Sequence, residues 1–141
     1  MASKDTICIQ GGWQPKSGEP RILPIYQSTT FKYGDSDHMG RLFDLEEEGY
    51  FYSRLQNPTC DTVASKICEL EGGVAAMLTS SGQAATFLSI FNICGAGDHV
   101  VSSATIYGGS SNLFTVTLKK LGIDFTLVDP DASEEELAKA F

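Results

Sequence analysis

At 141 residues and 15.2 kDa, with 42% hydrophobic content, the chain can bury one ordinary core and is too apolar for a disordered tail. A formal charge of -8 gives its surface the wrong sign for sequence-independent attraction to nucleic acid, where phosphate neutralisation dominates binding. The four cysteines, Cys8, Cys60, Cys68 and Cys94, form none of the close pairs that a zinc or dithiol site needs, so reduced thiols in a cytoplasmic protein are expected.

The N-terminus, MASKDTICIQGGW, carries acid and amide groups among its apolar residues and lacks the unbroken apolar stretch of a signal peptide. From Gly11 to Asn57 there is no long periodic apolar face. In RILPIYQSTTF, Pro24 forbids an ordinary helix interior while Thr29 and Thr30 favour extended chain. Residues 1–57 therefore read as an arm, interrupted by a short helix in SDHMGRLFDLEEEG with Ser36 as its cap.

From Asn57 the pattern becomes regular. Asn57-Pro58 is a turn signal, Thr59 or Asp61 can cap, and Val63, Ala64, Ile67, Cys68 and Leu70 recur at helical spacing until Gly72-Gly73 stops the helix. VAAML, residues 74–78, predicts a short buried strand and QAATFLSIFNIC a helix; HVVSSA a strand; SSNLFTVTLKKLG a helix closed by Gly122; DFTLVD a strand. This alternation has the spacing of βαβ crossovers, so residues 58–141 predict an α/β fold in which a βαβαβ run builds a parallel sheet with covering helices. The most apolar region, Val74 to Cys94, is broken by Thr79, Ser80, Ser81, Gln83 and Asn92, which argues against a membrane span. DPDASEEELAKAF starts a further helix, with Ser133 and Glu136 in capping-box register. Parallel strands so thinly covered expose apolar faces, and the chain is expected to be the front part of a larger domain.

The stretch LTSSGQAAT, residues 78–86, sets small polar residues between a predicted strand and a predicted helix. Free N–H groups at a helix start favour an anion, Gly82 allows close approach, and the hydroxyls of Ser80 and Ser81 add donors. A plainer alternative stands beside this one: a serine caps the helix and Gly82 eases the turn. Tyr52 and Arg54, two residues apart, point the same way in an extended segment, and a phenol with a guanidinium suits a dianion. Tyr107 follows the second predicted strand, at the carboxyl edge where open α/β sheets bind ligands, and its ring can pack or stack on a flat molecule. His38 and His99 fall on a predicted surface helix and at a strand start, with no partners in a metal-ligand pattern.

Taken together, LPIYQSTTF, YSRLQNPT, LEGGVAAMLTSSGQAA and GDHVVSSATIYGGS resemble the pyridoxal-phosphate enzymes of cysteine and methionine metabolism, the fold-type I transsulfuration group, over essentially the whole chain. The resemblance implies the N-terminal arm and first portion of a fold-type I transferase large domain, with pyridoxal 5'-phosphate as cofactor. It implies that Ser81, Gly82 and Gln83 hold the cofactor phosphate, Gln83 mainly through its backbone N–H, and that Tyr107 stacks on the pyridine ring and serves in proton transfer. Tyr52 and Arg54 would reach the phosphate of a neighbouring subunit's cofactor, which implies a homo-oligomer, a dimer within a tetramer. Within the group, Gln83 and DHMGRLFDLEEEGYFYSR resemble O-acetylhomoserine sulfhydrylases; the γ-lyases usually carry Met at the Gln83 position and often Cys at the Gly109 position. The implied reaction on this amino-acid substrate replaces acetate with sulfide or a thiol, with methionine γ-lyase and cystathionine γ-synthase as alternatives in the same family. The family's cofactor-bound lysine follows a Ser-x-Thr context that none of Lys4, Lys16, Lys32, Lys66, Lys119, Lys120 or Lys139 has. The chain is therefore expected to carry half of a cofactor site and to be inactive alone. A non-catalytic binding or assembly module and a nucleotide-binding α/β domain are the alternatives of other classes.

Overall fold

The computed structural model describes residues 2–141, which divide into two compact units, the first ending at Leu78 and the second running Thr79–Phe141. The first unit opens on a helix that the sequence pattern did not announce, α1 (Lys4–Gln10), capped by Ser3, whose Oγ accepts from the Thr6 N–H at 3.3 Å. It packs on a longer helix beginning at Pro58, where Lys66 Nζ donates to the Cys8 carbonyl at 3.1 Å and Ile7 and Ala64 are buried. The second helix, α2 (Ser36–Phe43), lies where the sequence predicts, but Asp35 caps it in place of Ser36, accepting from the His38 N–H at 2.8 Å. A carboxylate one residue earlier makes the same bond and adds a favourable charge at the helix start.

The third helix, α3 (Pro58–Glu71), is capped by Asn57 rather than by Thr59 or Asp61. Pro58 occupies the first turn, where its missing N–H would have had no intrahelical acceptor, and Gly72 closes the helix. Between α1 and α2 the chain keeps its arm-like character. Among the described residues one isolated antiparallel bridge pairs Thr30 of this stretch with Tyr52, beyond α2.

Residues 74–78 depart from expectation. VAAML belongs to no strand among the described residues, and it is exposed, Val74 completely and Met77 at 74%. An apolar run provides the side chains of a buried strand but none of its hydrogen bonds, which all come from a neighbouring strand. The sheet accordingly has two strands, and the βαβαβ run predicted for 58–141 is reduced to one βαβ preceded by two helices.

That βαβ lies in the second unit. The unit's elements are α4 (Gly82–Phe91), β1 (His99–Ser103), α5 (Gly108–Asn112), β2 (Asp124–Val128) and α6 (Glu134–Ala138). A π-helical turn, Leu113–Thr117, and a 3-10 turn, Leu118–Leu121, prolong α5. β1 and β2 pair in parallel, from His99 opposite Asp124 to Ser103 opposite Val128. Gly122 ends the helical stretch at φ +82, a left-handed conformation that a side chain would strain, and the next residue, Ile123, drops into the core. Leu118 and Ile123 have no exposed surface, and Phe114 stacks on Phe125 with ring centroids 4.7 Å apart. Phe87 and Ile90 from α4 and Val100 from β1 pack against this centre, so the core fixes α4 and the α5 stretch to the sheet. α6 carries the predicted capping box between Ser133 and Glu136. The four cysteines are unpaired, and no helix among the described residues is long and apolar enough to cross a membrane.

Candidate functional site

The polar stretch at the start of α4 has the geometry of a capped helix and of an anion cradle at once. Ser81 is the cap: the Ala84 N–H donates to Ser81 Oγ at 3.1 Å and the Ala85 N–H to the Ser81 carbonyl at 3.0 Å. Accepting one bond leaves the Ser81 hydroxyl proton available to donate. The N–H groups of Gly82 and Gln83 donate to no protein acceptor among the described residues, as the first amides of a helix must. A Cβ built on Gly82 meets nothing within 4 Å, so the backbone there is open to close approach. Two amides, a hydroxyl and the positive end of a ten-residue helix suit a phosphate ester.

Tyr107 meets this helix start through Gly109. Tyr107 lies in the loop after β1, immediately before α5, and is 77% exposed. A Cβ added at Gly109 would fall 2.5 Å from Gln83 Nε2 and 2.5 Å from Tyr107 Cε1. The Gln83 amide and the edge of the Tyr107 ring therefore crowd the same point, which only a glycine leaves vacant. The structure thus brings Gln83 and Tyr107 together at the carboxyl edge of β1, with an exposed aromatic face beside unsatisfied amide donors. A planar phosphorylated molecule fits such an arrangement: the amides take the phosphate and the ring face takes the plane. Gly109, which the sequence marks only as a family difference, is the contact point.

In the first unit, Tyr52 and Arg54 are also brought together, by a route other than the extended alternation expected of them. The chain turns directly after the bridge at Tyr52: Leu55 and Gln56 both donate their N–H to the Tyr52 carbonyl, at 3.0 and 3.1 Å. The turn folds the Arg54 guanidinium over the Tyr52 ring, 5.0 Å from its centroid. This cation–π contact leaves the guanidinium exposed with its five donors uncommitted to any carboxylate, since the ion pairs of the described residues involve His38, Arg41 and Lys139 only. Behind the turn lies Asn57, which the sequence shows as a turn signal. An asparagine directly before a first-turn proline is a preferred cap, and that preference was the available signal.

The lysines of the second unit stand apart from Tyr107. Lys139 is paired with Glu135 at 2.7 Å. Lys119 and Lys120 sit at the far end of the helical stretch that Tyr107 precedes, roughly 18 Å away at the usual rise per residue. His38 accepts from the Gly34 N–H at 3.0 Å and lies 3.5 Å from Glu47, while His99 Nε2 lies 2.8 Å from Thr126 Oγ1. No group of carboxylates, histidines and cysteines able to hold a metal ion occurs among the described residues.

A protein-family model described as Cys/Met metabolism PLP-dependent enzyme matches residues 5–141. The homocysteine/cysteine synthase of Kluyveromyces lactis is 44% identical over 134 residues, 93% of this chain and 30% of that protein. The O-acetyl-L-homoserine sulfhydrylase of Leptospira meyeri is 44% identical over 131 residues, 92% of this chain and 30% of that protein. The chain thus spans about a third of the length of these relatives. Among solved structures, a putative O-acetylhomoserine (thiol)-lyase from Campylobacter jejuni, crystallised with N'-pyridoxyl-lysine-5'-monophosphate, superposes with a TM-score of 0.92 at 34% identity, over 100% of this chain and 34% of that one.

Proposed function

Because the chain belongs to the Cys/Met metabolism PLP-dependent enzymes, we propose that it forms the N-terminal part of an O-acetylhomoserine sulfhydrylase, which replaces the acetate of O-acetylhomoserine with sulfide or a thiol. The observation that carries this reading is the meeting of Gln83 and Tyr107 over Gly109 at the start of α4. The names and identities of the relatives support the choice of reaction within the family.

On this reading the Gly82 and Gln83 N–H groups and the Ser81 hydroxyl hold the cofactor phosphate, in a place where the helix dipole lowers the cost of its charge. The Tyr107 ring covers one face of the cofactor plane and its phenol exchanges a proton with the departing group. When bound, pyridoxal phosphate supplies the electron sink for carbanions at the substrate's α and then β carbons. Tyr52 and Arg54 add a second, cationic grip on the phosphate in a neighbouring subunit, which makes the enzyme a homo-oligomer with shared sites. A cytoplasmic location suits the unpaired cysteines.

The test is to purify the complete polypeptide with pyridoxal phosphate and supply O-acetylhomoserine with and without sulfide. Acetate and homocysteine should form together, and only with sulfide present. Ammonia and 2-oxobutyrate without a thiol would assign a γ-lyase instead, and efficient use of cysteine as acceptor a cystathionine γ-synthase. Failure to bind pyridoxal phosphate at all would refute the reading.

A further inference from the structure

Asn57 is the one buried polar side chain among the described residues, 8% exposed, and its amide is fully engaged. Its Oδ1 accepts from the Thr59 N–H at 2.9 Å, capping α3. Its Nδ2 donates to the Tyr26 carbonyl at 3.1 Å and to Ser53 Oγ at 2.9 Å. Ser53 passes the connection on: its hydroxyl donates to the Ser28 carbonyl and its N–H to the Thr29 carbonyl, the latter at 2.9 Å. One side chain therefore ties together the arm around residues 26–29, the start of α3, and the residue between Tyr52 and Arg54.

We propose that Asn57 is a positioning residue for phosphate recognition, holding Tyr52 and Arg54 at the angle from which they grip the anion. This rests on the reading above, in which that pair contacts the cofactor phosphate. Without such an anchor, the turn after Tyr52 keeps its own two backbone bonds and the Ser53 bonds to the Ser28 and Thr29 carbonyls but loses its side-chain link to the start of α3, and the exposed, long-stemmed Arg54 guanidinium is no longer fixed relative to that helix. A buried amide with both donors committed removes that freedom, because breaking either bond leaves an Asn57 N–H unpaired in a buried place. The proline that follows stiffens the same joint, since its ring fixes one backbone angle at the first residue of α3.

The experiment uses the complete, assembled protein stripped of cofactor and titrated in parallel with pyridoxal 5'-phosphate and with pyridoxal, which lacks the phosphate. Bound fraction is read from cofactor absorbance, and folding is checked by thermal melting. Asn57→Asp keeps the helix cap and removes both donors; Ser53→Ala keeps Asn57 and removes the relay, and decides the matter if the first variant does not fold. Both should lower the preference for the phosphorylated ligand, Asn57→Asp by about tenfold, with pyridoxal affinity unchanged. Equal losses for the two ligands, or no loss in either variant while Arg54→Ala loses the preference, would overturn the role of Asn57. If Arg54→Ala itself keeps the full preference, the phosphate contact of Tyr52 and Arg54 is wrong, and the assignment of Asn57 falls with it.

Discussion

Gly109 shows how a single hydrogen atom can decide a site. The space that a methyl group would take is already filled from two sides, by a flexible amide end and by a ring edge. In Gly109→Ala the Gln83 side chain can swing away at little cost, but the Tyr107 ring is tied to backbone at the start of α5 and must tilt. Stability should change little, while loss of the ring contact should cost on the order of 1 kcal/mol, about fivefold in affinity for pyridoxal phosphate. A cofactor titration paired with a thermal melt separates the two; a large drop in melting temperature with unchanged affinity would contradict this account.

At the scale of elements, the second unit depends on the helical stretch between its strands. Leu118 has no exposed surface and lies where that stretch meets Ile123 and the Phe114–Phe125 stack. Leu118→Ala should therefore destabilise by about 2–5 kcal/mol, measurable as a lowered urea midpoint, because a packed core collapses only partly onto a missing side chain. The short helix α6 has a different dependence. The Ser133 N–H and hydroxyl donate to Glu136 at 2.9 and 2.8 Å, and these bonds, the backbone one foremost, hold its carboxyl below the usual glutamate range. A carboxyl whose pKa is lowered by folding stabilises fully above its unfolded value and loses that contribution as pH falls through the folded one. Protection of the α6 amides relative to their intrinsic exchange rates should accordingly fall on acidification through the lowered range, and Glu136→Gln should remove most of that pH dependence.

At the scale of the molecule, the accessible surface is 10656 Å². Even two separate compact bodies of these sizes should expose only about 8,600 Å². The surplus includes large apolar side chains: Val74 and Met77 before α4, Phe91 at its end, and Tyr107 at the candidate site. Exposed apolar side chains of this size favour burial against another surface, which the sharing of sites proposed above would supply. Co-expressing complete chains carrying Arg54→Ala with chains carrying Tyr107→Ala tests this sharing. Neither variant alone should turn over substrate well, while mixed dimers should recover about a quarter of wild-type activity, because half of them form and each restores one site. Absence of recovery would mean that each subunit completes its own site.

Much of this was written locally. The helix start after the serines at 80–81, the capping box at Ser133 and the glycine stop at Gly122 each depend on residues within a turn or two of one another, and the sequence by itself determined them. The parallel pairing of β1 with β2, about 25 residues apart, was legible only through the alternation of strand and helix patterns. Tertiary structure decided the rest. VAAML has the composition of a buried strand, yet a strand exists only where another offers its hydrogen bonds. Tyr52 and Arg54 meet through a turn rather than through alternation. Asn57 reaches a carbonyl 31 residues away, and Gly109 matters because Gln83, far back along the chain, is folded against it. Capping and periodicity are short-range forces that a sequence displays directly, whereas steric exclusion and buried hydrogen bonding act between segments whose nearness exists only after the chain has folded.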